Sequence, residues 1–180
     1  MSKGIFITGT GTDIGKTYVT GLIVKKLRES GADAAYYKAA MSGNERRADG
    51  SLIPGDALQV KTMSGIGQPL EEMCPYVYET AVSPHLASRL EGTPVRMDRV
   101  LEDFRKVCEK YDYVTMEGSG GILCPLCIDG YPSSRSSKSV RAWLPADCRC
   151  GAWDDQWRGA YCLLSETTGN CPKRNYFQPL

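Results

Sequence analysis

The sequence predicts an α/β fold in which a parallel β-sheet is flanked by helices. Apolar, strand-like runs alternate with helix-like segments over residues 1–130, which is the pattern of a parallel sheet covered by helices. The first of these runs enters a glycine-rich turn that leads directly into a helix. Because the alternation stops after residue 130, we expect the C-terminal half of the sheet to be missing or irregular.

The elements follow from local patterns. Residues 15–29 carry apolar side chains near helical spacing, residues 97–110 place five apolar side chains on one face, and Ser83-Pro84-His85 combines a serine cap with a proline in the first turn. We predict that the first helix ends at Gly31. We predict strands at residues 3–8, 34–38 and 111–116, and helices at residues 15–29, 57–63 and 97–110 and from Ser83.

The first loop has the pattern of a phosphate-binding loop. Gly9 to Thr17 reads Gly-Thr-Gly-Thr-Asp-Ile-Gly-Lys-Thr, with five residues between Gly9 and Gly15 where the common loop has four. Glycines allow backbone N–H groups to curl around an anion, and the following helix adds unpaired N–H donors. Lys16 can then reach the β- and γ-phosphates, and the Thr17 hydroxyl can bind Mg²⁺. We therefore predict a nucleotide-binding, P-loop NTPase-like fold.

Polar residues near the ends of later strands are candidates for the same site. Glu117 follows an apolar strand and opens a glycine-rich turn, so it can hold Mg²⁺ at the sheet edge where ligands bind. Asp56 is explained equally by helix capping or by metal binding. Lys38 ends the second strand and either contacts a phosphate or is solvated. Ser42 precedes Gly43 in a turn and can donate to an oxyanion or simply form the turn.

Composition excludes several classes of partner. A net charge of +1 gives no broad field for nucleic acid or an anionic membrane. Since no long apolar run or basic-apolar leader is present, we expect a cytoplasmic protein. His85, the single histidine, lies in a helix's first turn, which disfavours a charged imidazolium, so we assign it no catalytic role. Because the sequence has no other histidine, we expect no Ser–His or Cys–His nucleophilic catalysis. Cys124-x-x-Cys127 and Cys148-x-Cys150 resemble a zinc site only superficially, because the second pair has one intervening residue.

Over residues 3–130 the chain resembles the dethiobiotin synthetases, ATP-dependent ring-closing enzymes of biotin synthesis. The long phosphate loop is similar to theirs, including its extra residue, and four further motifs follow in the same order. These are Tyr37-Lys38 with Ser42-Gly43, Asp56-Ala57, Ser83-Pro84-His85, and Glu117-Gly118-Ser119-Gly120-Gly121.

The resemblance implies a reaction and a set of roles. Diaminopelargonate and CO₂ form a carbamate, which attacks the γ-phosphate of ATP, and the second amine closes the mixed anhydride to a cyclic urea. It further implies a homodimer that shares substrate contacts, with ATP as cosubstrate and Mg²⁺ as metal. The implied catalytic residues are Lys16 and Lys38; the phosphate is held by Thr12, Asp13, Ile14, Gly15, Lys16 and Thr17; the substrate contacts Thr12, Lys38 and Ser42; and the metal is held by Thr17, Asp56 and Glu117.

Residues 131–180 do not match that family as written. They form a tail rich in serine, cysteine and tryptophan, which we expect to have little order. Read from the second base of each codon, with synonymous codons chosen freely, residues 143–180 can encode a strand, a glycine turn, a helix start and a strand ending in asparagine. A frame shift is therefore our hypothesis, and a divergent native tail is the alternative. Without the family's C-terminal strands, we expect weak nucleotide binding at best and impaired catalysis.

Two other functions are kept open. One is a ParA-like or cobyrinate-synthase-like ATPase, although ParA-like loops carry an early second lysine where this chain has Thr10 and Gly11. The other is a nonenzymatic zinc-binding or interaction module centred on the cysteine-rich tail.

Overall fold

A computed structural model describes residues 2–121 and 124–127, together with the backbone of residues 160–165. The helices and strands within these ranges alternate through the first part of the chain, as predicted. In chain order they are β1 (Lys3–Gly9), α1 (Lys16–Glu29), β2 (Ala34–Lys38), α2 (Gly55–Ser64), a 3-10 turn (Leu70–Glu72), α3 (Pro84–Leu90), α4 (Met97–Lys110), β3 (Tyr113–Glu117) and β4 (Ala160–Ser165).

The strands form one sheet in the order β2-β3-β1-β4. Strand β3 runs parallel to both β1 and β2, and its last residue, Glu117, is level with Ile7 of β1 and Lys38 of β2. The carboxyl ends of these three strands therefore meet at one edge, which is where open α/β sheets bind ligands. The predicted parallel α/β fold is confirmed.

The tail contributes to the sheet differently from the rest. Strand β4 pairs with β1 in the antiparallel direction, with Ala160 level with Gly9 and Ser165 level with Gly4. The sequence predicts no strand at Ala160–Ser165, because that run lies outside the regular alternation of strand and helix. Other residues of the tail, including Cys148 and Cys150, lie outside the described part of the chain.

Helices cover the two faces of the sheet through two separate apolar clusters. On one face Tyr36 of β2 packs with Val24 of α1 and Val60 of α2. On the other face Tyr37 packs with Val100 and Val107 of α4. Because successive strand residues point to opposite faces, the adjacent tyrosines separate the two layers. Among the described residues, no helix combines the length and the apolar character needed to cross a membrane.

The observed bounds differ slightly from the predicted ones. Strand β3 begins at Tyr113 rather than at residue 111, since the Tyr111 N–H bonds to the Val107 carbonyl and so belongs to the end of α4. Helix α2 begins at Gly55, two residues earlier than predicted, and therefore includes Asp56 in its first turn. Gly31 has φ 84° just after α1, which fits the predicted helix end.

Candidate functional site

The phosphate loop connects β1 to α1 and is shaped by two residues with positive φ. Asp13 has φ 57° and Gly15 has φ 86°. Gly15 stands immediately before α1, and its carbonyl accepts the Val19 N–H at 3.0 Å, the first bond of the helix. A side chain at Gly15 would contact no neighbour, so it is the backbone conformation that favours glycine here. The loop thus leaves the first N–H groups of α1 available to a ligand.

Lys16 folds back over this loop. Its Nζ donates to the carbonyl of Gly11, and the residue is buried. Burial lowers the pKa of Lys16, and the neighbouring charge of Lys38 lowers it further. A polyphosphate in the loop would therefore meet a poorly hydrated ammonium group, which strengthens their attraction.

Thr17, Asp56 and Glu117 converge beside the loop. The Thr17 hydroxyl lies 2.9 Å from Oε1 of Glu117 and 3.3 Å from Oδ1 of Asp56. The side chain of Glu117 is fully buried, whereas that of Asp56 is 37% exposed. Three segments far apart in sequence therefore present oxygen atoms to one point at the sheet edge.

Lys38 lies between the two carboxylates. Its Nζ is 2.6 Å from Oδ2 of Asp56 and 2.7 Å from Oε1 of Glu117. Burial by itself would lower the pKa of Lys38, but the combined attraction of Glu117 and Asp56 outweighs it, and the pKa is raised. Lys38 is therefore a charged ammonium group in a buried position rather than the solvated strand-end lysine that the sequence also allowed.

The oxygens of this cluster suit a hard divalent cation. One hydroxyl and two carboxylates match the oxygen ligands that Mg²⁺ prefers, and Mg²⁺ usually completes its shell with water and substrate phosphates. Among the described residues, no group of three or more His, Cys, Asp or Glu side chains could hold a metal ion. The one hydroxyl and two carboxylates of this cluster are fewer ligands than Mg²⁺ needs, and the remaining positions suit water and phosphate oxygens.

The glycine-rich loop after Glu117, residues 118–121, packs directly on the phosphate loop. A Cβ on Gly121 would lie 2.7 Å from the carbonyl oxygen of Thr10, closer than real Cβ contacts. Ser119 donates to the Ala40 carbonyl and ties the same loop to the end of β2. The segment after Glu117 thus supports the phosphate loop, a role that the sequence did not indicate.

Asn44 positions Asp56 and was missed in the sequence. Its side-chain oxygen accepts the Gly55 N–H at 2.9 Å, and its Nδ2 donates to the Tyr78 carbonyl at 2.8 Å. The residue is buried and fixes the first turn of α2. An asparagine after a turn carries no pattern that predicts this long-range contact.

Tyr36 is a second residue that sequence reasoning missed. Its hydroxyl donates to Oε2 of Glu117 at 3.1 Å, and the residue is fully buried. Burial raises the pKa of Tyr36 well above its ordinary value, and the negative charge of Glu117 raises it further. A signal existed in principle, because Tyr36 is two residues before Lys38 and must share its face of the strand.

The other predicted residues lie on the loops around this cluster. Thr12 and Asp13 are exposed on the loop, and Ile14 is half-buried. Ser42 is half-buried at a turn in which Gly43 has φ 76°.

Comparison with known proteins finds a family model and curated relatives that match part of this chain. Residues 3–131 match the sequence model of a family described as an AAA domain. The chain is 54% identical over 126 residues to the ATP-dependent dethiobiotin synthetase BioD of Clostridium botulinum (strain ATCC 19397 / Type A), covering 70% of this chain and 55% of that protein. It is 53% identical over 130 residues to the protein of the same name from Clostridium novyi, covering 70% and 52%. The chain thus spans about half the length of the curated relatives it matches.

Proposed function

The chain belongs to the AAA domain family, and from its site geometry and its curated relatives together we propose that it is, by descent, an ATP- and Mg²⁺-dependent dethiobiotin synthetase. The observation that carries the proposal is the convergence of Thr17, Asp56, Glu117 and Lys38 at the carboxyl ends of three parallel strands. The relatives' shared name supplies the substrate class, which the residues alone do not.

In the proposed reaction, CO₂ adds to one amine of 7,8-diaminopelargonate to give a carbamate. A carbamate oxygen attacks the γ-phosphorus of ATP and ADP leaves, which forms a carbamic-phosphoric anhydride. The second amine then attacks the carbonyl carbon, expels phosphate and closes the ureido ring. Transfer of this kind needs positioning and charge neutralisation more than covalent help from the protein.

The residues take their roles from where they lie. Lys16, buried over the loop, holds the β- and γ-phosphates, and Lys38 neutralises charge on the transferred phosphoryl group. Thr17, Asp56 and Glu117 would hold Mg²⁺, which when bound neutralises and orients the phosphates. Thr12, Asp13, Ile14 and Gly15 line the phosphate, and Thr12 and Ser42 contact the substrate. We further propose that the protein acts as a homodimer in the cytoplasm.

We also propose that residues 131–180 derive from a shifted reading frame and that residues 1–130 form the nucleotide-binding region. The family match ends at residue 131, close to where the serine-rich stretch begins. Sequencing the gene across the codons for residues 125–145 tests this. An intact frame supported by peptide masses would leave a divergent native tail as the explanation.

The function is tested by phosphate release from ATP, with and without diaminopelargonate plus bicarbonate. The assay is run on this chain and on a frame-restored version. We expect substrate-dependent release from the restored protein and a much lower rate from this chain. Ordinary enzyme rates from this chain would contradict the impairment, and no substrate-dependent release from either protein would contradict the assignment.

A further inference from the structure

The carboxylate of Glu117 has two oxygens with different partners. Oε1 faces the site, where it is contacted by the Thr17 hydroxyl at 2.9 Å and by Nζ of Lys38 at 2.7 Å. Oε2 faces the protein interior, where it accepts the Tyr36 hydroxyl at 3.1 Å. The two oxygens therefore separate a ligand-facing side from a protein-facing side.

Tyr36 is itself held firmly. Its N–H donates to Oε1 of Gln68 at 2.8 Å, and its backbone is paired in register with Thr115 in the neighbouring strand. Its ring is fully buried in the cluster that includes Val24 and Val60. Because both its backbone and its ring are held in place, Tyr36 is a rigid hydrogen-bond partner for the carboxylate of Glu117.

From this arrangement we infer that Tyr36 is a positioning residue for the proposed metal site, acting through Glu117. The inference rests on the proposed function. The terminal bond of a glutamate side chain has a broad torsional preference, so a carboxylate held at one oxygen can still rotate. The hydroxyl of Tyr36 holds the second oxygen and so keeps Oε1 turned towards Thr17. Partners that orient a metal ligand in this way typically change metal affinity by about 10- to 100-fold when removed.

The adjacent tyrosine offers a matched control. Tyr37 is also fully buried in β2, and its hydroxyl donates to the Val100 carbonyl at 2.8 Å, on the opposite face of the sheet. Tyr36→Phe and Tyr37→Phe each remove one buried hydroxyl and one hydrogen bond. Only the first removes a bond to Glu117.

The test is calorimetric titration of the full chain with ATP, in excess Mn²⁺ and separately in EDTA, for the wild type, Tyr36→Phe, Tyr37→Phe and Glu117→Gln. Protein and ATP concentrations are set high enough to measure the weak binding expected of this chain, and the gain in ATP affinity caused by Mn²⁺ reports metal binding at the site. Thermal unfolding in EDTA is recorded for each, so that general destabilisation is measured separately. We expect Tyr36→Phe to weaken Mn²⁺ binding about 10-fold, towards the value of Glu117→Gln. Tyr37→Phe should bind as the wild type does.

The outcomes separate this inference from the proposed function. If Glu117→Gln weakens Mn²⁺ binding but Tyr36→Phe and Tyr37→Phe behave alike, the positioning role is wrong and the metal site stands. If Glu117→Gln binds Mn²⁺ as the wild type does, both the proposed metal site and the role of Tyr36 are overturned.

Discussion

The hydroxyl of Thr17 donates to Oε1 of Glu117 at 2.9 Å, although 100 positions separate the two residues in the chain. Thr17 lies in the first turn of α1, and Glu117 is the last residue of β3. Their contact depends on the parallel pairing of β1 with β3, which places the end of β3 beside the loop that enters α1. The phosphate loop and the buried carboxylate are therefore parts of one site.

Replacing Glu117 with Gln should weaken Mn²⁺ binding in the presence of ATP by at least about 10-fold, because it removes the buried negative charge that we propose holds the metal. Calorimetric titration of each variant with ATP, in excess Mn²⁺ and in EDTA, measures this. Glu79→Gln is the control, since Glu79 pairs with Arg46 at the surface and lies in no proposed site. Equal affinities for the two variants would show that Glu117 holds no metal.

Replacing Lys38 with Met should lower the free energy of unfolding by about 3 kcal/mol in EDTA, since it leaves the buried Glu117 carboxylate without its cation. Added Mg²⁺ should restore part of this loss by neutralising the same oxygens. Denaturant unfolding with and without Mg²⁺ gives both numbers. Lys106→Met, which removes exposed ion pairs on α4, should stay near the wild-type value in both conditions. A Lys38→Met protein as stable as the wild type in EDTA would refute the buried ion pair.

Replacing Gly15 with Ala should weaken ATP binding. The backbone at Gly15 has φ 86°, which is sterically unfavourable for alanine, so the loop must shift at the start of α1. Gly31→Ala is the control: Gly31 lies outside the loop, has φ 84°, and, like Gly15, has no atom within 4 Å of an added Cβ. Each substitution should cost about 1–2 kcal/mol of stability. Only Gly15→Ala should change the dissociation constant for ATP, measured by calorimetry, and equal effects on binding would contradict the loop's role.

Replacing Gly121 with Ala should also weaken ATP binding, since its Cβ would lie 2.7 Å from the Thr10 carbonyl and push the two loops apart. The expected cost in stability is about 1–3 kcal/mol. Gly67→Ala meets no neighbouring atom within 4 Å and serves as the control in the same calorimetric titration. Unaltered ATP binding by Gly121→Ala would show that the second loop does not support the first.

The sequence predicted those parts of the site that depend on local order or on strand direction. The spacing of Lys16 and Thr17 in a strand–loop–helix segment indicates a phosphate loop, and parallel strands predict that Lys38 and Glu117 end at the same edge. Register and side-chain packing decide the rest. Two contacts depend on the register of β2 against β3: Lys38 lies between two carboxylates, and Tyr36 reaches Glu117. No local sequence pattern determines that register.

The most direct test of the account compares Thr17→Val with Thr20→Val in Mn²⁺–ATP binding by the full chain. Both threonines lie in α1, but the Thr20 hydroxyl donates to the Lys16 carbonyl at 2.7 Å, whereas that of Thr17 reaches Glu117. Thr17→Val should weaken Mn²⁺–ATP binding by at least about 10-fold, and Thr20→Val should leave it unchanged. Identical binding by the two variants would contradict a nucleotide–metal site at the junction of the loop and the carboxylates.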